Sequence, residues 1–133
     1  MLLQPRKTKH KKIRKGRLNK HKYNAKLTFG TIGLKSLESG FISARHLEAA
    51  RQAINRQMRK KGKLWIKVFP NVPITKKPNE VRMGKGKGNV SHWSAKVRGG
   101  SIIFEMCGIN TKTAIKAFKT GSAKLPVKTQ IFN

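Results

Sequence analysis

Charge limits this chain more than any other feature: 32 Lys and Arg residues stand against four acids, a formal net charge of +28. Self-repulsion on that scale opposes a compact state unless a counter-charge is supplied. The acids, Glu38, Glu48, Glu80 and Glu105, are isolated from one another and too few to neutralise the cations internally. A polyanion is therefore the expected partner, and phosphate-rich nucleic acid fits it best. A merely solubilising surface would mix both signs. With 133 residues the chain is long enough for one domain with a modest core.

Several function classes drop out early. No stretch approaches the ~18 apolar residues of a membrane span, so no membrane partner is expected. The single cysteine, Cys107, rules out an internal disulfide framework and a cysteine-rich zinc site. His10, His21, His46 and His92 lack ligand spacing, so neither a metal nor another cofactor is expected. The four carboxylates are far apart, and no Ser/His/Asp or Cys/His grouping stands out, so the chain does not read as an enzyme.

Residues 1–27 read as a basic arm, with eleven Lys and Arg and no acid. Its sparse, aperiodic apolar residues bury too little surface to offset the entropy of ordering, so it is expected to order along RNA. Arg6, Lys7, Lys9, Lys11, Lys12, Arg14, Lys15 and Arg17 are its candidate phosphate contacts. Residues 28–133 read as a single globular domain. Thr28–Leu34 alternates as a strand, Ser39-Gly40 is a turn, and Phe41-Ile42 is a short extended piece.

Ser43 caps the clearest helix, which runs toward Gly62. Leu47, Ala50, Ile54 and Met58 recur at spacings of three and four and form its core-facing stripe. Arg45, Arg56, Arg59 and Lys60 project from the other side as candidate RNA contacts. Lys63–Phe69 reads as a strand, interrupted by Pro70 and Pro73. Residues 74–92 read as a long basic loop. Residues 93–98 and 101–106 read as a hairpin turned by Gly99-Gly100. A second helix is expected over Thr111–Lys124, capped by Asn110 or Thr111, with Ile115, Phe118, Ser122 and Leu125 on one side. The tail, VKTQIF, is a candidate last strand.

The stretch VRMGKGKGN is the most unusual. Alternating glycine lets backbone approach a phosphate or base closely, while Lys85 and Lys87 add point charges and Arg82 a planar fork. It is no P-loop, because no Ser or Thr follows a Gly-Lys pair. Nor does a helix signal follow it, as a dinucleotide fold would need. Trp93, beside the loop, is read mainly as a core residue, with stacking on a base as the alternative.

Six segments, in order, carry a family resemblance: QPRKTKHKKIRKGR, FGTIGLK, ARHLEAARQA, GKLWIKVFPNVPITKKPNEVRMGKGKGN, IFEMCGI and AKLPVKT. Together they resemble ribosomal protein L-sixteen of bacterial and organellar large subunits over nearly the whole chain. The resemblance implies an α+β fold: two helices packed on a mostly antiparallel sheet with a β-hammerhead element. It implies large-subunit rRNA, A-site tRNA and neighbouring ribosomal proteins as partners, without homo-oligomers. It also implies that Arg82, Met83, Gly84, Lys85, Gly86, Lys87 and Gly88 face the A-site tRNA near the peptidyl-transferase centre, supporting that site without performing peptide transfer. Cys107 stands where many relatives have Asp.

Abundant Lys, Asn and Ile with few acids suit an AT-rich coding genome, and the family-like start at Met1 is expected to leave no room for a cleaved presequence. A mitochondrial ribosome is the expected location, with a plastid or bacterial cytoplasmic ribosome as alternatives. A free, non-specific RNA-binding chaperone is the competing function. An RNA-acting enzyme ranks third, with Glu80 as its first residue to test.

Overall fold

The computed structural model describes residues 3–18, 23–59 and 61–133. Its elements run β1 (Ile32–Ser36), β2 (Gly40–Ser43), α1 (Ala44–Met58), β3 (Lys63–Ile66), β4 (Val72–Lys76), β5 (Asn89–Val97), β6 (Ile102–Cys107), α2 (Thr111–Ser122) and β7 (Thr129–Phe132). They form an α+β architecture with two antiparallel sheets, ordered β3-β6-β1-β7 and β2-β5-β4.

The α1 stripe behaves as its spacing predicts: Leu47, Ala50, Ile54 and Met58 are all buried. The Ser43 hydroxyl accepts from the His46 backbone N–H and satisfies one of the orphan donors of the first turn. The helix ends earlier than Gly62. Arg59 takes the left-handed cap at φ 48, and its N–H donates to the Arg56 carbonyl. Asn110 caps α2, accepting from the Lys112 N–H.

The buried face of α2 differs from the expected one. Ala114, Ala117, Phe118 and Gly121 are buried, whereas Ile115 is 44% exposed and Ser122 and Leu125 are only half-buried. The reason is helix on helix: α2 packs against α1, and small residues permit the approach. A Cβ on Gly121 would lie 2.5 Å from Ile54 Cγ1. Gly121→Val should therefore lower the stability of the free chain by about 2 kcal/mol through overpacking. The urea midpoint, compared with that of the exposed-site change Ala123→Val, checks this.

Three further strand expectations need correction. The strand placed at Thr28–Leu34 begins only at Ile32, because the backbone of residues 28–30 turns its N–H groups onto the Glu105 side chain. Likewise, the long loop placed at 74–92 shrinks to 77–88, since 72–76 and 89–97 pair as β4 and β5. Pro73 is tolerated there because β4 is an edge strand and its missing N–H breaks no inner ladder.

The expected hairpin of 93–98 with 101–106 does not form. Its two strands belong to different sheets, β5 pairing with β2 and β4, and β6 with β1 and β3. A turn does exist, with the Ser101 N–H donating to the Arg98 carbonyl, but it carries the chain from one sheet to the other. Gly100, at φ +86, donates to the Ser36 carbonyl, and a Cβ there would meet the Tyr23 carbonyl oxygen at 1.8 Å. The tail does add a strand, β7, beside β1.

The core runs continuously from the α1–α2 interface to both sheets, through Leu34, Ile42, Ile54, Phe104 and Phe118. Leu3 joins it at 7% exposure, pinning the start of the N-terminal segment.

Candidate RNA interface

The N-terminal segment leaves the core at Leu3 and then runs exposed. Arg6, Lys7, Lys9, Lys11, Lys12, Arg14, Lys15 and Arg17 are all exposed. Among the described residues the ion pairs are Arg51–Glu48 and Lys67–Glu105, so none of these eight cations has a carboxylate partner there. Such unpaired, hydrated charge is what a phosphate backbone can neutralise.

Two contacts tie this segment to the 77–88 loop. Lys12 Nζ donates to the Lys87 carbonyl at 3.0 Å, and Lys87 Nζ donates to the Ile13 carbonyl at 2.5 Å. Each ammonium thus rests on the other strand's backbone, which lets two cationic segments lie side by side. Lys15 Nζ also sits 4.6 Å from the Phe41 ring centroid, a cation–π contact with β2.

Arg82, Met83, Gly84, Lys85, Gly86 and Lys87 are all exposed, Met83 almost completely, and Gly88 is half-buried. Gly84, Lys85 and Gly86 have consecutive positive φ values of 99, 53 and 79. A Cβ on Gly84 or Gly86 would meet nothing within 4 Å. Their glycines thus serve the left-handed backbone rather than packing, and both flanks stay open for an incoming partner. Gly88 differs: a Cβ there would lie 2.6 Å from the Lys76 carbonyl oxygen. Lys77 Nζ donates to the Gly84 carbonyl across the base of the loop.

On α1, Arg45, Arg56 and Arg59 are exposed, and Lys60 lies outside the described residues. These cations separate into two groups. Arg45 shares a cleft with Lys11 and Lys12, while Arg56 and Arg59 line a second groove at the far end of the helix with Gly62 and Leu64. Arg51 belongs to neither group. Its Nη2 and Nε donate to the Glu48 carboxylate at 2.6 and 2.9 Å. Those bonds, aided by Gln52 and opposed by partial burial, hold the Glu48 carboxyl down at about 2.

Sequence reasoning missed the buried centre behind this surface. Glu105 is completely buried on β6. Its carboxylate accepts from the backbone N–H of Phe29 at 2.7 Å, Gly30 at 2.9 Å and Thr28 at 3.3 Å, and lies 3.6 Å from Lys67 Nζ. Burial pushes the carboxyl up, but the N–H bonds of Phe29, Gly30 and Thr28, with the Lys67 charge, outweigh it and leave it below its ordinary value. Outside it, Phe29 stacks on Trp65 at 6.0 Å, with Lys67 Nζ 4.3 Å above the Phe29 ring. The available signal was one acid inside an otherwise apolar strand, IIFEMC. Trp93 is half-buried, between the two roles considered for it.

No cluster of His, Cys, Asp or Glu that could hold a metal occurs among the described residues. No described helix is long and apolar enough to cross a membrane.

Residues 5–132 match the family model described as Ribosomal protein L16p/L10e. Three similar proteins bear the name large ribosomal subunit protein uL16. That of Blochmanniella pennsylvanica (strain BPEN) is 50% identical over 131 residues, covering 98% of both chains. That of Blochmanniella floridana is 50% identical over 130 residues, again 98% of both. That of Erythrobacter litoralis (strain HTCC2594) is 50% identical over 131 residues, covering 98% of this chain and 91% of the relative. With a match of this extent, the protein belongs to the ribosomal protein L16p/L10e family, whose members are structural ribosomal proteins rather than enzymes.

Proposed function

We propose that this chain is a structural constituent of the large ribosomal subunit, binding its rRNA and supporting the aminoacyl-tRNA site near the peptidyl-transferase centre. The observation that carries the reading is the exposed cationic surface of the N-terminal segment and loop, whose arm cations have no carboxylate partner among the described residues and which the Lys12 and Lys87 bonds join. In this reading residues 1–27 act as an rRNA-binding arm on the 28–133 domain. Arg45, Arg56, Arg59 and Lys60 extend the rRNA contacts, and neighbouring ribosomal proteins complete the surroundings. The loop from Arg82 to Gly88 faces the A-site tRNA. Charge neutralisation lets crowded rRNA helices pack, and the open flanks of Gly84 and Gly86 let the loop backbone approach RNA.

Arg82 is exposed, and no ion pair joins it to another described residue. Arg82→Ala should leave the urea midpoint of the free chain unchanged. In subunits carrying the variant, A-site tRNA affinity should fall about ten-fold, as expected for losing one charge-assisted hydrogen-bonding group. Filter binding of aminoacyl-tRNA measures it. Unchanged affinity would remove the loop from the tRNA site.

We propose a mitochondrial ribosome as its location, in keeping with the Lys-, Asn- and Ile-rich, acid-poor composition expected of an AT-rich coding genome. The relatives named above are bacterial, and a bacterial or plastid ribosome is the alternative. Immunodetection in purified organelles against the remaining cell fractions separates them.

A further inference from the structure

Lys11, Lys12 and Arg45 share one cleft. It lies between the N-terminal segment, the first turns of α1 and the first half of β5, and its volume is about 970 Å3. That is the size of a typical ligand pocket. Lys11, Lys12 and Arg45 contribute cations to its walls, Trp93 an indole, and Asn89 and Ser91 hydrogen-bonding side chains. The wall from the N-terminal segment is fixed at both ends, by buried Leu3 and by the Lys12 bond to the Lys87 carbonyl. The cleft is therefore formed before any partner arrives. One acid, Glu48, also lines it, but its oxygens already accept from Arg51 and Gln52.

The mixture of wall groups selects the occupant. An apolar side chain would leave three cations facing it without a counter-charge. An acidic peptide would satisfy the cations and leave the indole without a stacking partner. A nucleotide offers both, an anion and a flat π face joined by a short sugar. We propose that this cleft receives one unpaired nucleotide of the rRNA, with its base on Trp93 and its phosphate against Lys11, Lys12 and Arg45. This rests on the ribosomal reading above and adds a specific role for Trp93.

Ultraviolet crosslinking of intact large subunits, followed by trypsin and nuclease digestion and mass spectrometry, tests it. The diagnostic peptide is Gly88–Lys96, GNVSHWSAK, which contains Trp93. The expected result is a nucleotide adduct on this peptide, mapped to one unpaired rRNA position. In subunits carrying Trp93→Ala that base should become reactive to base-specific chemical probes, and Trp93→Phe, which keeps a stacking ring, should retain its protection. Adducts confined to the arm and the 77–88 loop, with Gly88–Lys96 unmodified in subunits that contain the chain, would overturn the proposal and leave the ribosomal reading intact. Absence of the chain from the subunit would overturn both.

Discussion

Glu105→Ala should unfold this protein or bring it to the edge of unfolding. The substitution strips the carboxylate from the N–H groups of Thr28, Phe29 and Gly30 and leaves Lys67 without its counter-charge. Lys67 reaches solvent, so losing its partner alone costs little, but each of the three N–H groups left unsatisfied costs about 1–3 kcal/mol. A whole domain is stable by only about 5–15 kcal/mol. Gly30 cannot easily move away to find water, because its backbone sits so close to Met106 that a Cβ there would lie 2.8 Å from the Met106 nitrogen. Glu105→Gln should be milder. One amide oxygen can still accept from Phe29 and Gly30, while the amide NH2 confronts a donor. Urea unfolding should therefore rank wild type above Gln and Gln above Ala, with exposed Glu80→Ala close to wild type.

The same site sets the acid limit. The folded Glu105 carboxyl lies below its ordinary value, so its stabilisation is fully present above the usual carboxylate range. It is lost as pH falls from that range through the depressed folded value. Glu48, held at about 2, contributes with the same sign over the window below its ordinary value of 4.5. Being partly exposed, the Glu48 pair is worth little by comparison. Glu105→Gln should thus flatten the fall of stability below the carboxylate range, which urea midpoints measured across that range would show.

Neutralising the arm should produce the largest effect on binding. The eight exposed cations from Arg6 to Arg17 lack carboxylate partners among the described residues. If they meet phosphates, each contact releases counterions, and the log–log dependence of affinity on salt steepens by about 0.7 to 0.9 per contact. In binding of the free chain to isolated rRNA, this many contacts make affinity fall by on the order of 10^3 to 10^5 between about 50 and 200 mM salt. Replacing all eight by Gln should abolish most of that dependence. Leu3 remains in the variant, so the core is untouched, and with less self-repulsion the unfolding midpoint should hold or rise. A salt slope unchanged by the eightfold substitution would mean that the arm does not contact phosphate.

What the sequence revealed, and what it hid, follows from the range of the forces involved. The α1 stripe and the Ser43 and Asn110 caps were legible because each depends on residues within a turn or two. The exposed cations were legible because nothing nearby could pair them. Strand partnership was not. Gly99-Gly100 gives the same local turn signal whether the following strand folds back or crosses to another sheet, and the Gly100 approach to Tyr23 and Ser36 decides it. Pro73 looked like a strand breaker because edge position is a property of the sheet, not of the segment. Ile115 looked like core because periodicity cannot foresee that Gly121 and Ala114 let α1 come close on another face. The Glu105 centre joins residues 75 to 77 positions apart, beyond any local pattern.

The most direct test of the ribosomal role is sedimentation of a lysate at low magnesium after a high-salt wash, with each fraction probed for this chain. Recovery with the large subunit is expected, because charge neutralised inside packed rRNA is shielded from added salt. Recovery at the top of the gradient would contradict the ribosomal role and favour a free, non-specific RNA-binding chaperone.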